Sequence, residues 1–559
     1  MSSEVLSGRA AWPAALSAAV LALALSSPGH AQPAAAAPTA SAAPATAASA
    51  SAAEASTRVR AFRVEGNSLL DPALLQTTLQ AWLGQRTLAD LRDAAQAVQA
   101  LYGRAGYGAV LAYLPPQPVA DGTVLIQVVE GRLARVTVQG AQRLTPERVR
   151  AALPTLVEGV TPRVRRIDAE LQLANENPGR TMGVLLGPGA APGEVEATVK
   201  VDELPAQRWS LALDNSGNPR TGDYRLSLAW QHADLSDHDD VLSLQLQVSP
   251  TEWHAVQVLS AGYRLPLVRS LAALDLFAAY SDVDGGIQST PAGGLRFAGK
   301  GRIAGARATA YLPRWGEFDQ RLTGGLESRA YLNDCQVSGL PSGSCGAAGQ
   351  SVALQPLTLD YAAQTGGAAP ASYTLALAHN LALGGPHGGA ADFEAVRPGA
   401  TRHYTVWRAG GQFGMPVAED WLLAGRVSAQ HSGDLLVPGE QFGVGGASSV
   451  RGYLERELSG DFGFAAGFEL ATPQLGAAVA DPGVDLRALV FVDGGQVALH
   501  GDATCLAGQA RCSLSSWGLG ARLGWRRLQL RLFVAQARQD AATTRRGDWR
   551  SHFALNASF

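Results

Sequence analysis

A chain of 559 residues is too long for one ordinary domain, so at least two folded units are expected. A formal net charge of −3 offers no basic surface for a phosphate backbone and sets nucleic acid aside as a partner. With 63 Gly, 3 Met and 17% charged residues, the chain is neither a greasy helical membrane protein nor a polar disordered one.

Residues 1–31 read as an export signal: Arg9, an apolar run over 10–25, then Pro28 and Gly29-His30-Ala31 as a small-residue cleavage site. The run is shorter than the roughly 20 residues a spanning helix needs, and Pro13 interrupts it. No later apolar stretch is long enough to cross a bilayer as a helix, so any crossing must be made by strands. Residues 32–57, nearly all Ala, Pro, Ser and Thr, cannot bury a core and read as a linker.

Two units with the same order of signals follow, over 58–131 and 132–204. In the first, a strand at 62–65 precedes Asp71 and Thr87, both placed as helix N-caps. Leu88, Leu91, Ala95, Val98 and Tyr102 then recur at helical spacing up to Gly106, and strands at 109–114 and 124–129 close the unit. The second has strands at 133–138, 182–186 and 195–201 with helices at 146–153 and 163–175. Each copy is a β-α-α-β-β unit of about 70 residues, an α+β module with helices on a mixed sheet.

From about residue 206 the period changes to two. Trp209, Leu211 and Leu213 alternate with Ser210, Ala212 and Asp214; Leu242, Leu244, Leu246 and Val248 with Ser243, Gln245 and Gln247; Leu528, Leu530, Leu532 and Val534 with Gln529, Arg531 and Phe533. An apolar outside around a polar lumen is what a transmembrane barrel requires. A secreted β-sandwich also alternates, but the export signal and the aromatic Phe559 favour the barrel. Residues 205–559 supply about sixteen antiparallel strands at roughly 22 residues each with their loops. Counting back from Phe559, strands at 549–559, 528–537, 515–525 and 486–498 place the Trp525-Arg526-Arg527 turn at the periplasmic end and the loop with Cys505 and Cys512 outside. The four cysteines form two close pairs, Cys335 with Cys345 and Cys505 with Cys512, read as loop disulfides of an oxidising compartment. Neither pair has metal-finger spacing.

Several motifs resemble one family. Tyr102-Gly103-Arg104-Ala105-Gly106-Tyr107, Leu114-Pro115-Pro116-Gln117 and Val128-Val129-Glu130-Gly131-Arg132 resemble the first POTRA domain of two-partner secretion transporters, the hemolysin-activator and hemagglutinin-secretion proteins. Asp214-Asn215-Ser216-Gly217, Thr221-Gly222, Tyr224-Arg225 and Tyr263-Arg264-Leu265-Pro266 are similar to the opening of that family's barrel. Val450-Arg451-Gly452-Tyr453 resembles the tip of the family's long sixth loop, and Phe491-Val492-Asp493-Gly494-Gly495 its strand-thirteen partner motif. Either motif alone is an ordinary turn sequence. The two together, with a strand, a turn and another strand between them, are specific.

The resemblance implies that the loop around 435–460 folds into the barrel, where Arg451 pairs with Asp493. A guanidinium offers a carboxylate a planar fork that a lysine does not reproduce. Gly452 allows a tight tip, and Gly494 with Gly495 leaves room beside the barrel wall.

It further implies an outer-membrane transporter of a Gram-negative envelope, its N-terminal modules in the periplasm. A secreted exoprotein partner, an adhesin, cytolysin or toxin, would dock on the POTRA modules by strand addition and cross through the lumen. Outer-membrane lipids would surround the barrel, barrel assembly machinery would insert it by reading Phe559, and no cofactor is needed. An outer-membrane insertase of the same superfamily is the first alternative, although such relatives usually carry three or five POTRA units. A passive porin is the second, and it leaves the periplasmic arm unexplained. The plug helix of better-known members has no counterpart in residues 32–57, so plugging is not expected. Residues 294–300 match GxxxxGK by chance, since Gly301 replaces the required Ser/Thr. With no HExxH or GxSxG motif, no enzyme is expected. Asp239 and Asp240 read as a solvated charge pair in a short turn.

Overall fold

The computed structural model describes residues 56–559 except 120, 219–220, 254–255, 291–292, 333–349 and 477–482. The expected export signal, nearly all of the linker and the Cys335/Cys345 pair lie outside the described residues.

In the first N-terminal module the central strand Thr123–Glu130 runs parallel to Ala61–Glu65 and antiparallel to Val110–Tyr113. Two helices, Pro72–Leu79 and Leu88–Arg104, cover one face. Asp71 caps the first by accepting from the Ala73 amide at 2.9 Å, and Thr87 forms a reciprocal capping box with Asp90 on the second. Leu91, Ala95, Val98 and Tyr102 are buried against Phe62, Val124, Ile126 and Val128. The second module repeats this arrangement: Glu194–Glu203 lies between Arg132–Gln139 (parallel) and Arg180–Pro188 (antiparallel), with helices Pro146–Ala152 and Val164–Ala174.

The repeat extends to single residues. Gly66 and Gly140 follow the first strand of each copy at φ of 85° and 86°, where a Cβ would strike the carbonyl oxygens of Val128 and Val201 at 2.1 and 2.3 Å. The last residue of each central strand, Glu130 or Glu203, then caps the turn that follows that glycine. Glu130 accepts from the Ser68 and Leu69 amides at 2.8 and 3.0 Å and from the Tyr102 hydroxyl at 3.0 Å. Glu203 accepts from the amides of Gln142, Arg143 and Leu144 at 2.9, 3.0 and 2.9 Å and from Arg143 Nε at 3.0 Å. Burial pushes the Glu203 carboxyl up, but these donors outweigh it and hold it at about 2.

Beyond Leu204 the chain forms a closed antiparallel barrel of 16 strands, each paired with the next in sequence. Val352–Leu354 and Pro356–Thr365 are two stretches of one strand. The ladder breaks at Gln355, whose amide goes to Asn380 Oδ1 at 2.6 Å, beside a proline with no N–H to give. Closure comes from Trp549–Ser558 lying along Gln207–Asp214, with Trp209 and Phe559 exchanging amide and carbonyl bonds of 2.8 and 2.9 Å. Leu211, Leu244, Leu246, Leu532 and Val534 face outward, whereas Ser210, Ala212, Gln245, Gln247 and Arg531 line the lumen. Cys505 and Cys512 form a disulfide in the loop between Val484–Ala498 and Arg511–Trp525, at the opposite end from the Arg526-Arg527 turn.

The junction of the second module with the barrel corrects one expectation. Asp239 and Asp240 are not a solvated pair, because the module covers their turn. Arg180 gives Asp239 a two-point fork, Arg148 bonds Asp234 at 2.7 Å, and Asn177 Nδ2 reaches the Asp239 carbonyl at 3.2 Å. Helix Val164–Ala174 meanwhile presses Ala169 and Leu173 onto Leu271, Ala273 and Tyr311 of the barrel.

Candidate functional site

The segment between strands Leu422–His431 and Phe462–Ala471 does not stay at the rim. Its two limbs pair as a small hairpin, Phe442–Val444 with Leu458–Gly460, and the tip between them enters the barrel. Phe442, Val444, Val450, Tyr453 and Leu458 pack with Ala465, Val497, Leu514 and Cys512, an apolar cluster that joins the tip to the barrel wall and to the disulfide-braced loop. Gly495 makes room for it: a Cβ there would meet Phe464 O at 3.0 Å and the side chains of Val444 and Val450 at 3.2 Å.

Arg451 is fully buried at the tip. Its Nε and Nη2 donate to Asp493 Oδ2 and Oδ1 at 2.6 and 2.8 Å, and its backbone amide adds a third bond to Oδ2 at 3.2 Å. The remaining nitrogen, Nη1, donates to Glu469 Oε1 at 2.6 Å. The guanidinium carbon stands 3.4 Å from the centre of the Phe491 ring and 4.8 Å from that of Phe533. Phe491 and Phe533 meet edge to face, 5.9 Å between centroids. Geometry thus uses all that distinguishes arginine from lysine: the fork, a third donor and the flat face.

Neighbouring groups complete the site. Gly452, at φ 92°, gives its amide to His552 Nε2 at 2.9 Å, so that nitrogen carries no proton. The Tyr453 hydroxyl lies 3.0 and 3.1 Å from the Ser515 and Gln539 carbonyls and accepts from the Arg538 and Gln539 amides. Arg426 donates to Asp493 Oδ1 at 2.9 Å and to the Ser449 carbonyl at 2.6 Å, and Arg522 bonds Glu469. Below the tip, Glu457 accepts from the Leu454 amide and from the amides and hydroxyls of Thr543 and Thr544.

Val450, Arg451, Gly452, Tyr453, Phe491, Asp493 and Gly495 therefore meet in one place. Phe559 stands apart from Arg451, at the seam, whereas the Cys505–Cys512 disulfide makes no bond to Arg451 but packs its outer loop on Val450 and Tyr453 through the apolar cluster. Sequence reasoning missed Arg426, Glu469, Arg522, Phe533 and His552. Strand parity puts each of them on the lumen face, but nothing local says that they converge on Asp493. Among the described residues no cluster of His, Cys, Asp or Glu is arranged to hold a metal.

Residues 195–523 match the family described as haemolysin secretion/activation protein ShlB/FhaC/HecB, and residues 57–131 match the ShlB-type POTRA domain. The heme/hemopexin transporter protein HuxB of Haemophilus influenzae is 29% identical over 175 residues, which spans 31% of either chain. The outer membrane transporter CdiB of Escherichia coli is 27% identical over 486 residues, covering 83% of this chain and 76% of that one. The solved structure of CdiB from Escherichia coli superposes with a TM-score of 0.71 at 20% identity over 92% of both chains, a likeness of fold.

Proposed function

Since the chain belongs to the haemolysin secretion/activation family of outer-membrane transporters, we propose that it carries a partner exoprotein from the periplasm to the cell surface by two-partner secretion. The barrel lies in the outer membrane with the POTRA modules in the periplasm, and family members are transporters. Within this reading the partner docks unfolded on the modules. Among the edge strands of the two module sheets, Val110–Tyr113 exposes Leu111 and Tyr113 although Gln99 takes its Ala112 amide, and Arg180–Pro188 exposes Leu185 beyond Met182, whose amide and carbonyl Asn175 takes. An extended segment laid on such an edge gains main-chain hydrogen bonds whatever its sequence, while exposed apolar side chains select its register. The lumen, whose lining includes Ser210, Ser227, Gln245 and Gln247, offers a moving polypeptide donors and acceptors. No bond is made or broken in the cargo, so no enzymatic step or cofactor enters.

The observation that carries the mechanism is Arg451 on Asp493. With this contact made, the loop tip occupies the lumen; transport requires that the tip move aside, so the pair is the lock. Barrel assembly machinery reading Phe559 would place the protein in its membrane. The test compares surface, culture-medium and outer-membrane proteomes of the host with and without this protein. Loss of one large exported protein, other barrels unchanged, is expected and identifies the cargo. A general fall in outer-membrane barrels with exported proteins intact points to an insertase instead, and no change in either overturns both.

A further inference from the structure

The root of the inserted loop is held by a second set of buried charges, remote from Arg451. At the short turn Pro438–Glu440 the Glu440 side chain is fully buried. Its carboxylate accepts from Arg329 Nη1 at 2.6 Å, Arg408 Nη2 at 3.0 Å and the Tyr331 hydroxyl at 3.1 Å, while Gln430 holds its backbone carbonyl at 2.8 Å. Arg329 is shared with Glu327, which also binds Arg307, and Asp360 lies within the field of all three arginines.

The charge balance of the two clusters differs in kind. At the tip, the described wall groups are Asp493 and Glu469 against Arg426 and Arg522. These stay paired when Arg451 leaves, Arg426 on Asp493 and Arg522 on Glu469; the carboxylates are buried and the two arginines partly exposed. At the root, the described wall groups are Arg307, Arg329 and Arg408 against Glu327 and Asp360, so only Glu440 brings the cluster to neutrality. Here the key side chains are dry: Glu327 is 2% and Arg329 11% exposed. Withdrawing one partner from a buried ionic cluster strands an uncompensated charge, whereas withdrawing a partner that leaves the rest balanced and paired does not.

We propose that Glu440 is a positioning residue, the fixed anchor about which the loop tip carrying Arg451 is released. The inference rests on the reading of Arg451–Asp493 as a lock and adds which end of the loop moves. Tip release then leaves residues 436–444 in place and keeps the loop beside the wall, ready to return.

Amide hydrogen exchange on the full-length protein in detergent micelles separates the two ends. Arg451→Ala is expected to lose protection over 445–457 and keep it over 436–444. Glu440→Gln is expected to lose both, with strand Val241–Val248 as the unaffected control. The double variant Glu440→Gln/Arg408→Gln removes one charge of each sign and is expected to recover root protection, and to recover a folded barrel should the single variant fail to fold. Root exchange that rises with the tip in Arg451→Ala, or a double variant no better than Glu440→Gln, overturns the anchor. A tip that stays protected in Arg451→Ala while the root behaves as stated overturns the lock instead.

Discussion

Asp239, in a turn of the barrel, receives both terminal nitrogens of Arg180 from the second N-terminal module, at 2.7 and 2.8 Å. The Arg180 side chain is 3% exposed and that of Asp239 16%, so solvent screens the fork little. Truncating one partner of such a pair costs roughly 3–5 kcal/mol, and Arg148, 3.5 Å from Asp239, leaves the loss at the lower end. In Arg180→Ala the module is expected to loosen from the barrel rim. Limited proteolysis of the full protein should then cut near residues 203–208, while the barrel keeps its heat-modifiable migration. An unchanged digestion pattern would show that the helix contacts alone hold the junction.

Arg451→Lys retains the charge but not the fork, the third donor or the flat face over Phe491. Secretion is expected to fall nearly as far as in Arg451→Ala, with normal barrel abundance in the outer membrane. Asp493→Asn should behave alike, since it leaves Arg451 and Arg426 facing one neutral amide. Near-normal export by Arg451→Lys would mean that charge alone holds the tip.

The space left by Gly495 is specific to the inserted loop. Gly495→Ala is expected to be tolerated with a small shift of Val450, whereas Gly495→Val forces the tip off the wall at a cost of about 1–3 kcal/mol from overpacking. Ion conductance of the purified protein in planar bilayers should rise in the valine variant. Equal conductance of the two variants would show that the tip does not set the pore.

Glu203 ties the second module to acid pH. Its carboxyl is held at about 2 in the folded state, against about 4.3 for a free glutamate. A depressed carboxyl stabilises the fold in its ionised form. That contribution is present above about pH 4.3 and is lost as pH falls through the folded value of about 2. Amide protection of Gln142, Arg143 and Leu144, corrected for intrinsic exchange, is expected to drop over that interval. In Glu203→Gln it should already be low at neutral pH and show no such step.

Much of this molecule is written in local pattern. Asp71 and Thr87 announce their helices because an N-cap acts within three residues, and the period-two runs assign inside and outside because side-chain direction alternates along a strand. The two Glu caps were legible in principle, since VEGNSLLDP at 64–72 and VQGAQRLTP at 138–146 place Gly66 and Gly140 in register. The Asp239-Asp240 turn misled for the opposite reason: two acids in a short turn look solvated until a separate module closes over them.

By itself, then, the sequence determined the order of modules and the faces of the strands, because these depend on periodicity and on residue types within a short span; the two motifs that meet were marked only by their resemblance to the family. Only the tertiary structure decided that Arg426, Glu469 and Arg522 join Arg451 at Asp493, and that Glu440 balances Arg329 and Arg408 across 111 and 32 residues of chain. A lone charge on a lumen-facing strand position carries no signal of its partner. Strand stagger, barrel closure and the path of an inward-folded loop choose that partner, and those are properties of the closed sheet as a whole.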